Sequence, residues 1–148
     1  MTTILEINAY TAEYHEAICR FLSQLTSRPV TLTETQCRQL LAAENSHLFF
    51  LMQDNVIAGM LTVGTYLSPT GGKAWIEDVV VDEAFRGRGL GRLLVTHAME
   101  FVKSRKIPLL MLTSNPTRVA ANRLYQTLGF ERKETNVYRM RFPEFDEA

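Results

Sequence analysis

A glycine-rich segment that joins an apolar strand to an amphipathic helix constrains this chain more than any other feature. The strand is predicted over Ala74–Val81, the glycine-rich segment covers Arg86–Gly91, and apolar residues at helical spacing follow. Glycine permits turns with positive φ and lets a ligand come close to backbone N–H groups. The helix N-terminus adds roughly half a positive charge, and Arg86, Arg88 and Arg92 add guanidinium groups suited to phosphate oxygens. The segment therefore predicts a diphosphate site.

The charge distribution along the chain indicates the same kind of ligand. The whole chain is neutral, with 16 basic and 16 acidic side chains. Its net charge is −6 over residues 1–83, +9 over 84–141 and −3 over 142–148. The neutral total argues against nucleic-acid binding through bulk basicity, whereas the basic block is the expected place for an anionic ligand.

Three phosphate-binding patterns can be compared with the glycine-rich segment. A nucleotide P-loop requires G-x-x-x-x-G-K-S/T, which the chain lacks. A dinucleotide fingerprint requires G-x-G-x-x-G near the first strand, whereas Gly87, Gly89 and Gly91 alternate and follow the fourth predicted strand. The segment Arg86–Gly91 resembles the acetyl-CoA loop of the GNAT family of N-acetyltransferases, Gln/Arg-x-x-Gly-x-Gly/Ala, at every fixed position.

A second stretch resembles the closing motif of the same family. That motif has the form N-x-x-A-x-x-x-Y-x-x-x-G-F, and Ala121, Tyr125, Gly129 and Phe130 occupy its last four fixed positions. Arg118 stands where the family commonly has asparagine. Because the two motifs occur in the family order and at the family separation, the chain is identified as a member of the GNAT family.

The patterns along the chain predict an α/β protein. We expect a mixed central β-sheet flanked by about four helices in the order β-α-α-β-β-β-α-β-α-β-β, which is the order of the GNAT fold, in a single domain over residues 1–148. Helices are predicted after the N-cap Thr11, after a capping box of Thr33 and Gln36, after the glycine-rich segment, and over Asn115–Leu128, where Gly129 ends the helix. Asp54-Asn55 is a hairpin signal between the second and third predicted strands. The predicted strands are Ile4–Ile7, His47–Gln53, Val56–Leu67, Ala74–Val81, Ile107–Thr113, Glu131–Asn136 and Val137–Phe142.

The resemblance implies acetyl-CoA as the acyl donor and suggests which residues bind it. Val79, Val80 and Val81 would lend main-chain groups to the pantetheine arm as to an added strand, and an N–H of this stretch would polarise the thioester carbonyl. The departure at Arg118 leaves open whether Asn115 takes over the contact that the family asparagine makes. The other expected cofactor residues are Arg86, Gly87, Arg88, Gly89, Leu90, Gly91, Arg92, Asn115, Arg118 and Asn122.

Two residues are expected to carry the chemistry. By resemblance, Tyr125 acts as the general acid toward the thiolate that leaves. Glu77 is the favoured base, acting through water on the ammonium of the acceptor, and Asp78 or water alone remains an alternative. Strand alternation places Glu77 on the face of Trp75, Val79 and Val81. It places Asp78 on the opposite face, with Ile76 and Val80. Other tyrosines, Tyr66 among them, are interpreted as packing residues.

The sequence thus predicts an acetyl-CoA-dependent N-acetyltransferase that acts by direct attack in a ternary complex, with a small-molecule primary amine as acceptor. The alternatives are a non-catalytic acyl-CoA-binding sensor, a protein or peptide N-acetyltransferase, and a nucleotide-binding regulatory module. No metal, nucleic acid or membrane partner is expected, and the resemblance allows a homodimer. Sparse cysteines without metal-site spacing, Cys19 and Cys37, favour a cytoplasmic location.

Overall fold

The computed structural model describes residues 1–145. The chain divides into two compact units, Met1–Leu112 and Thr113–Ala148. The single domain expected over residues 1–148 stays a prediction. Among the described residues, no helix is both long enough and apolar enough to cross a membrane.

The first unit is built on a five-stranded sheet in the order β1-β2-β3-β4-β5. The first four strands are antiparallel, and β5 runs parallel to β4. The strands are β1 (Thr2–Ile7), β2 (Ser46–Gln53), β3 (Val56–Ser68), β4 (Gly71–Val81) and β5 (Leu110–Met111). The helices of this unit are α1 (Ala12–Leu25), α2 (Glu34–Ala42) and α3 (Leu90–Ser104), and the second unit holds α4 (Val119–Thr127). The mixed α/β architecture with four helices is as predicted.

Local signals fix the start of both N-terminal helices and the first hairpin. The Thr11 hydroxyl accepts a hydrogen bond from Tyr14 N at the start of α1. Thr33 and Gln36 form the predicted capping box at the start of α2. In the turn between β2 and β3, Asp54 and Asn55 have φ of 49° and 68°, as a type I′ turn requires.

The sheet is covered on both faces. On one face α1 and α2 bury a core around Phe21 and Phe50, whose rings meet edge to face at 6.5 Å. On the other face α3 packs over β2, where the Phe49 ring lies 4.9 Å from His97 and 5.1 Å from Phe101. The sheet is therefore a rigid platform on which the residues of β4 are positioned.

The structure corrects three predicted elements. The segments Glu131–Asn136 and Val137–Phe142 form no strands; they are exposed throughout, and a two-stranded ribbon without a covered face is marginal in water. The strand predicted over Ile107–Thr113 is reduced to Leu110–Met111, because the N–H of Ile107 bonds to Val102 O and closes α3 instead. The helix α4 begins at Val119 rather than near Asn115.

Candidate functional site

The glycine-rich turn leads directly into α3, whose first backbone N–H groups have no side-chain cap. Gly87 and Gly89 have φ of 79° and 75°, a left-handed conformation that a side chain would strain. Gly89 is the N-cap of α3 and offers no side-chain hydrogen bond to the first helical turn. A Cβ added at either glycine would meet no protein atom within 4 Å, so no side chain packs against the turn at these two positions. Leu90, only 5% exposed, anchors the first turn in the core.

The three arginines of this segment are exposed and differ in their contacts. Arg86 Nε donates to the carbonyl oxygen of Val81 at 3.0 Å and so closes the turn onto the end of β4. The Arg88 guanidinium lies 5.3 Å from the centroid of the Phe85 ring. Arg92 projects from the first turn of α3. Uncapped N–H groups, the helix dipole and these three cations together form a surface suited to a phosphate group.

Helix α1 helps to hold in place the residues that precede the glycine-rich turn. Arg20 Nε donates to Asp82 Oδ2 at 3.2 Å, and Arg20 Nη2 donates to Ile57 O at 3.0 Å. Gln24 Oε1 accepts from the Glu83 N–H at 3.0 Å, and Asp82 Oδ1 accepts from Ala84 N at 3.1 Å. These four contacts fix the short 3-10 turn at Glu83–Phe85, so the glycine-rich segment begins from a defined position.

A β-bulge interrupts β4 at Asp78 and Val79. Glu77 pairs with Thr62 and Val80 with Met60, so the single residue Leu61 opposes both bulge residues. Asp78 takes φ of 52°, which aspartate tolerates better than most residues. The sequence gives no turn signal at this position, and regular alternation was expected there.

The bulge changes which side chains share a face of the sheet. Glu77 does lie on the face of Trp75, as predicted. Because one residue is inserted, that face continues with Val80, which packs in the α1–α2 core, and not with Val79 and Val81. The prediction that Val80 shares a face with Ile76 is therefore wrong.

The edge of β4 that faces away from β3 is open along the bulge and beyond it. The parallel pairing with β5 includes only Ala74 and Trp75. The N–H of Asp82 bonds to Ala58 O in β3, and strand geometry then points the groups of Val80 toward β3 as well. The main-chain groups of Val79 and Val81 consequently face the open edge, where the carbonyl of Val81 receives Arg86. The three valines are thus not equivalent: two of them present groups to an added strand.

Gly59 allows β3 and β4 to approach closely beside this edge. A Cβ at position 59 would lie 2.8 Å from the Val80 carbonyl oxygen and 3.2 Å from Leu94 Cδ1. An isolated glycine within a strand is a signal of close backbone approach, and this position was not singled out in the sequence. Arg20, Gln24 and Asp82 were missed too, although an aspartate before a short turn is a recognisable capping signal.

Two adjacent carboxylates mark the bulge. Partial desolvation raises the pKa of Glu77, and the charge of Asp78 raises it further. Desolvation also raises the pKa of Asp78. A carboxylate whose pKa is raised is a stronger base, which suits a group that accepts a proton.

In the second unit, asparagine side chains shape the loop before α4. Asn115 Oδ1 accepts from the N–H of Thr117 at 2.9 Å and from its hydroxyl at 2.8 Å. Asn122 Nδ2 donates to the carbonyls of Asn115 and Arg118 at 2.9 and 2.8 Å. This turn explains why α4 starts at Val119. The expected cofactor contacts of Asn115, Arg118 and Asn122 stay predictions.

The end of α4 explains the spacing between Tyr125 and the Gly-Phe pair of the closing motif. The N–H of Phe130 bonds to Tyr125 O, and the N–H of Gly129 bonds to Gln126 O, which is a Schellman motif with Gly129 at φ of 104°. The Phe130 ring packs edge to face against Tyr125 at 6.0 Å. The motif therefore locks the tyrosine ring on its helix. Burial raises the pKa of Tyr125 and Arg118 opposes this shift, so the hydroxyl keeps its proton at neutral pH.

The geometry of the turn, the open edge and the locked tyrosine agrees with a comparison against protein families. The model of the acetyltransferase (GNAT) family matches residues 11–130. The chain belongs to this family. The match includes the glycine-rich segment and ends at the Phe130 of the closing motif.

Individual relatives of this GNAT chain are named as acetyltransferases with different acceptors. The [ribosomal protein bS18]-alanine N-acetyltransferase of Salmonella typhimurium is 34% identical over 71 residues, which are 48% of this chain and 47% of the relative. The spermine/spermidine N(1)-acetyltransferase of Bacillus subtilis is 34% identical over 64 residues, 40% of each chain. The matched parts are less than half of these curated relatives.

A solved structure is similar over nearly the whole chain. A protein from Bacillus halodurans C-125, described as a transcriptional regulator, superposes with a TM-score of 0.79 at 30% identity, over 96% of this chain and 100% of that chain. The GNAT fold is therefore shared over both units of the sequence.

Proposed function

We propose that this GNAT chain transfers the acetyl group of acetyl-CoA to a primary amine of a small molecule, by direct attack in a ternary complex. The observation that carries this proposal is the open edge of β4 next to the uncapped start of α3. An extended polar chain can pair with the edge, and a diphosphate at one end of that chain can bind the turn.

The cofactor residues divide into two groups under this proposal. The N–H groups of the Gly87–Gly91 turn and the cations Arg86, Arg88 and Arg92 bind the phosphates. The main-chain groups of Val79 and Val81 pair with the pantetheine arm, and an N–H beside the bulge polarises the thioester carbonyl. Asn115, Arg118 and Asn122 are proposed as further contacts from the second unit. Among residues 1–145, no three His, Cys, Asp or Glu side chains form a metal-binding group.

The acceptor must lose a proton and the sulfur must gain one. We assign Glu77 to receive a proton from the acceptor ammonium through water, since its pKa is raised and its side chain is exposed. The neutral nitrogen then attacks the thioester carbonyl carbon. As the C–S bond breaks, the Tyr125 hydroxyl donates its proton to the sulfur. The nitrogen passes its second proton through water to the Tyr125 oxygen, and the products are the acetylamide and the free thiol of CoA.

The acceptor class is proposed from one relative and from charge. The Bacillus subtilis relative is named for polyamines, and residues 1–83 of this chain carry a net charge of −6, which suits a cationic amine. The Salmonella relative, named for a ribosomal protein, makes a protein N-terminus the second candidate acceptor.

An acetylation panel tests the proposal. The purified chain is incubated with acetyl-CoA and with small amines, amino sugars or a peptide that has an N-terminal alanine, and release of the free thiol is followed. We expect turnover with small amines. Turnover with the peptide alone would favour a protein acceptor, and calorimetric binding of acetyl-CoA without any turnover would identify a sensor. Binding of a nucleotide but not of acetyl-CoA would overturn the assignment.

We further propose that the chain forms a homodimer and has a cytoplasmic location. A homodimer is tested by light scattering of the purified chain. A cytoplasmic location is in keeping with Cys19 and Cys37 being free thiols, and it is tested by fractionation.

A further inference from the structure

Along β3 and β4, one face of the sheet changes from buried to solvent-exposed. Directly paired residues of neighbouring strands have their side chains on the same face, so this face can be followed row by row. The row Phe50–Met60–Val80 is buried beneath α1. The next row, Leu48–Thr62–Glu77, ends in an exposed carboxylate.

Beyond Glu77 the same face is open and aromatic. The row Ser46–Gly64–Trp75 comes next, followed by the pair of Tyr66 with Lys73. A Cβ added at Gly64 would meet no atom within 4 Å, so no side chain covers the sheet at this point. We call the space over Gly64, between Trp75 and Glu77, the Gly64 notch.

The aromatic side of the Gly64 notch is fixed by contacts within the sheet. Trp75 Nε1 donates to the Tyr66 hydroxyl at 3.5 Å. Tyr66 is 48% exposed, so about half of its side chain is open to solvent on this face. Lys73 closes the far end: its ammonium bonds to Thr70 Oγ1 at 2.6 Å and lies 5.9 Å from the centroid of the Tyr66 ring. The notch is thus bounded by a carboxylate, a tryptophan and a fixed cation.

We propose that the Gly64 notch selects acceptors that carry a second, protonated nitrogen, which Trp75 holds while Glu77 faces the nitrogen that is acetylated. This inference rests on the proposed acetyl transfer. An indole ring attracts a cation, and the carboxylate of Glu77 favours a positively charged ligand. Two residues along a strand are about 7 Å apart, a separation that a linear diamine of about four or five carbons spans. Lys73 repels a third positive charge, so a diamine is favoured over longer polyamines.

The kinetic test compares two acceptors of equal length, 1,4-diaminobutane and 1-aminobutane. We expect kcat/KM to be about tenfold higher for the diamine, with most of the difference in KM. In Trp75→Leu this preference falls to about one, whereas Trp75→Phe keeps part of it. Leu67→Ala, a change at an exposed residue of the hairpin tip, leaves the preference as it is.

A second variant separates loss of the notch from loss of the fold. Gly64→Val places its Cβ in open space and has a higher β propensity than glycine, so we expect Tm not to fall, whereas KM for the diamine should rise about tenfold. If kcat/KM is equal for both amines, or if the preference survives in both Trp75→Leu and Gly64→Val, the inference is wrong.

The fluorescence of Trp75 reports binding without any acetyl transfer. Trp75 is the single tryptophan of the chain, so 1,4-diaminobutane that enters the notch changes its emission and 1-aminobutane at the same concentration changes it less. Binding without turnover would overturn the proposed function and leave the notch supported. Turnover with no change in emission and no diamine preference would support the proposed function and overturn the inference about the notch.

Discussion

At the scale of single residues, the end of α4 holds Tyr125 in a way that suits the role proposed for it. The Schellman motif and the Phe130 ring hold the side chain, and burial keeps its hydroxyl protonated. Its position in the motif could be predicted from the sequence because the motif is local. The physical reason for the four-residue spacing to Gly129 is visible only in the hydrogen bonds.

We expect Tyr125→Phe to lower kcat about a hundredfold, because the departing sulfur loses its proton donor. KM for acetyl-CoA and Tm should change little, since the ring and its contact with Phe130 are retained. Tyr138→Phe, at a residue that is 89% exposed, serves as the control. A variant that keeps wild-type kcat would remove Tyr125 from the chemistry.

The two carboxylates of the bulge can be distinguished by their effect on the pH profile. If Glu77 is the base, kcat/KM rises with pH as Glu77 ionises, at a pKa above the ordinary glutamate value of about 4.3. Glu77→Gln should abolish this limb. Asp78→Asn should move it to lower pH, because the negative charge that raises the Glu77 pKa is removed. The assignment is reversed if Asp78→Asn is inactive and Glu77→Gln is active.

His97, a residue of α3 that packs against the sheet, makes the stability of the fold depend on pH in the acid range. Burial lowers its pKa, and Glu6 opposes this shift. A histidine whose pKa is lowered in the folded state stabilises the fold fully only above its unfolded pKa of about 6.5, and this contribution is lost as pH falls through the lower folded value.

Tm of the wild type should therefore fall as pH is lowered from about 7.5 to about 5, and His97→Gln should show a shallower fall over the same interval. Thermal unfolding monitored across this pH series makes the measurement. Equal slopes for the two proteins would show that His97 contributes nothing to the acid sensitivity.

At the scale of elements, two glycines of β3 give a matched pair. Gly59→Ala places a Cβ 2.8 Å from the Val80 carbonyl, so β4 must shift, whereas Gly64→Ala enters open space. We expect Gly59→Ala to lower Tm and to raise KM for acetyl-CoA, because the groups of Val79 and Val81 move with the strand. Gly64→Ala should keep or raise Tm. Similar Tm values for both variants would argue against the close approach.

The elements that the sequence predicted well are those with local causes. The capping box at Thr33, the turn at Asp54 and Asn55, and the C-terminal glycine of α4 depend on residues within one turn of each other. The bulge at Asp78 depends on how β4 pairs with Leu61 of β3, which lies 17 residues earlier in the chain, and alternation gave no sign of it. Apolar residues alternated with charged ones in 137–142 as in a strand, but the described structure provides them with no partner.

At the scale of the molecule, the separation of charge along the chain predicts that binding of the cofactor depends on salt concentration. The +9 block contains both motifs, and phosphates bound there gain from its field. CoA at 100 times its Kd should stabilise the fold by about 2.7 kcal/mol and raise Tm accordingly.

Raising NaCl from about 0.05 M to about 0.5 M should weaken CoA binding and reduce this Tm increase, because exposed charges are screened. Dephospho-CoA, which lacks the 3′-phosphate, should show a smaller dependence on salt. The measurement is thermal unfolding at matched ligand and salt concentrations. A Tm increase that is independent of salt would show that the basic block is not the phosphate site.

The extra residue of β4 also sets limits on how such a chain can evolve. Deleting one residue at position 78 or 79 would restore regular pairing with β3 and favour a flatter, more stable sheet, and it would remove the bend that the bulge gives to the open edge of β4. Selection for stability alone would therefore favour loss of the bulge, so a chain that needs this bend for its site would tolerate changes of length in its loops more readily than in β4.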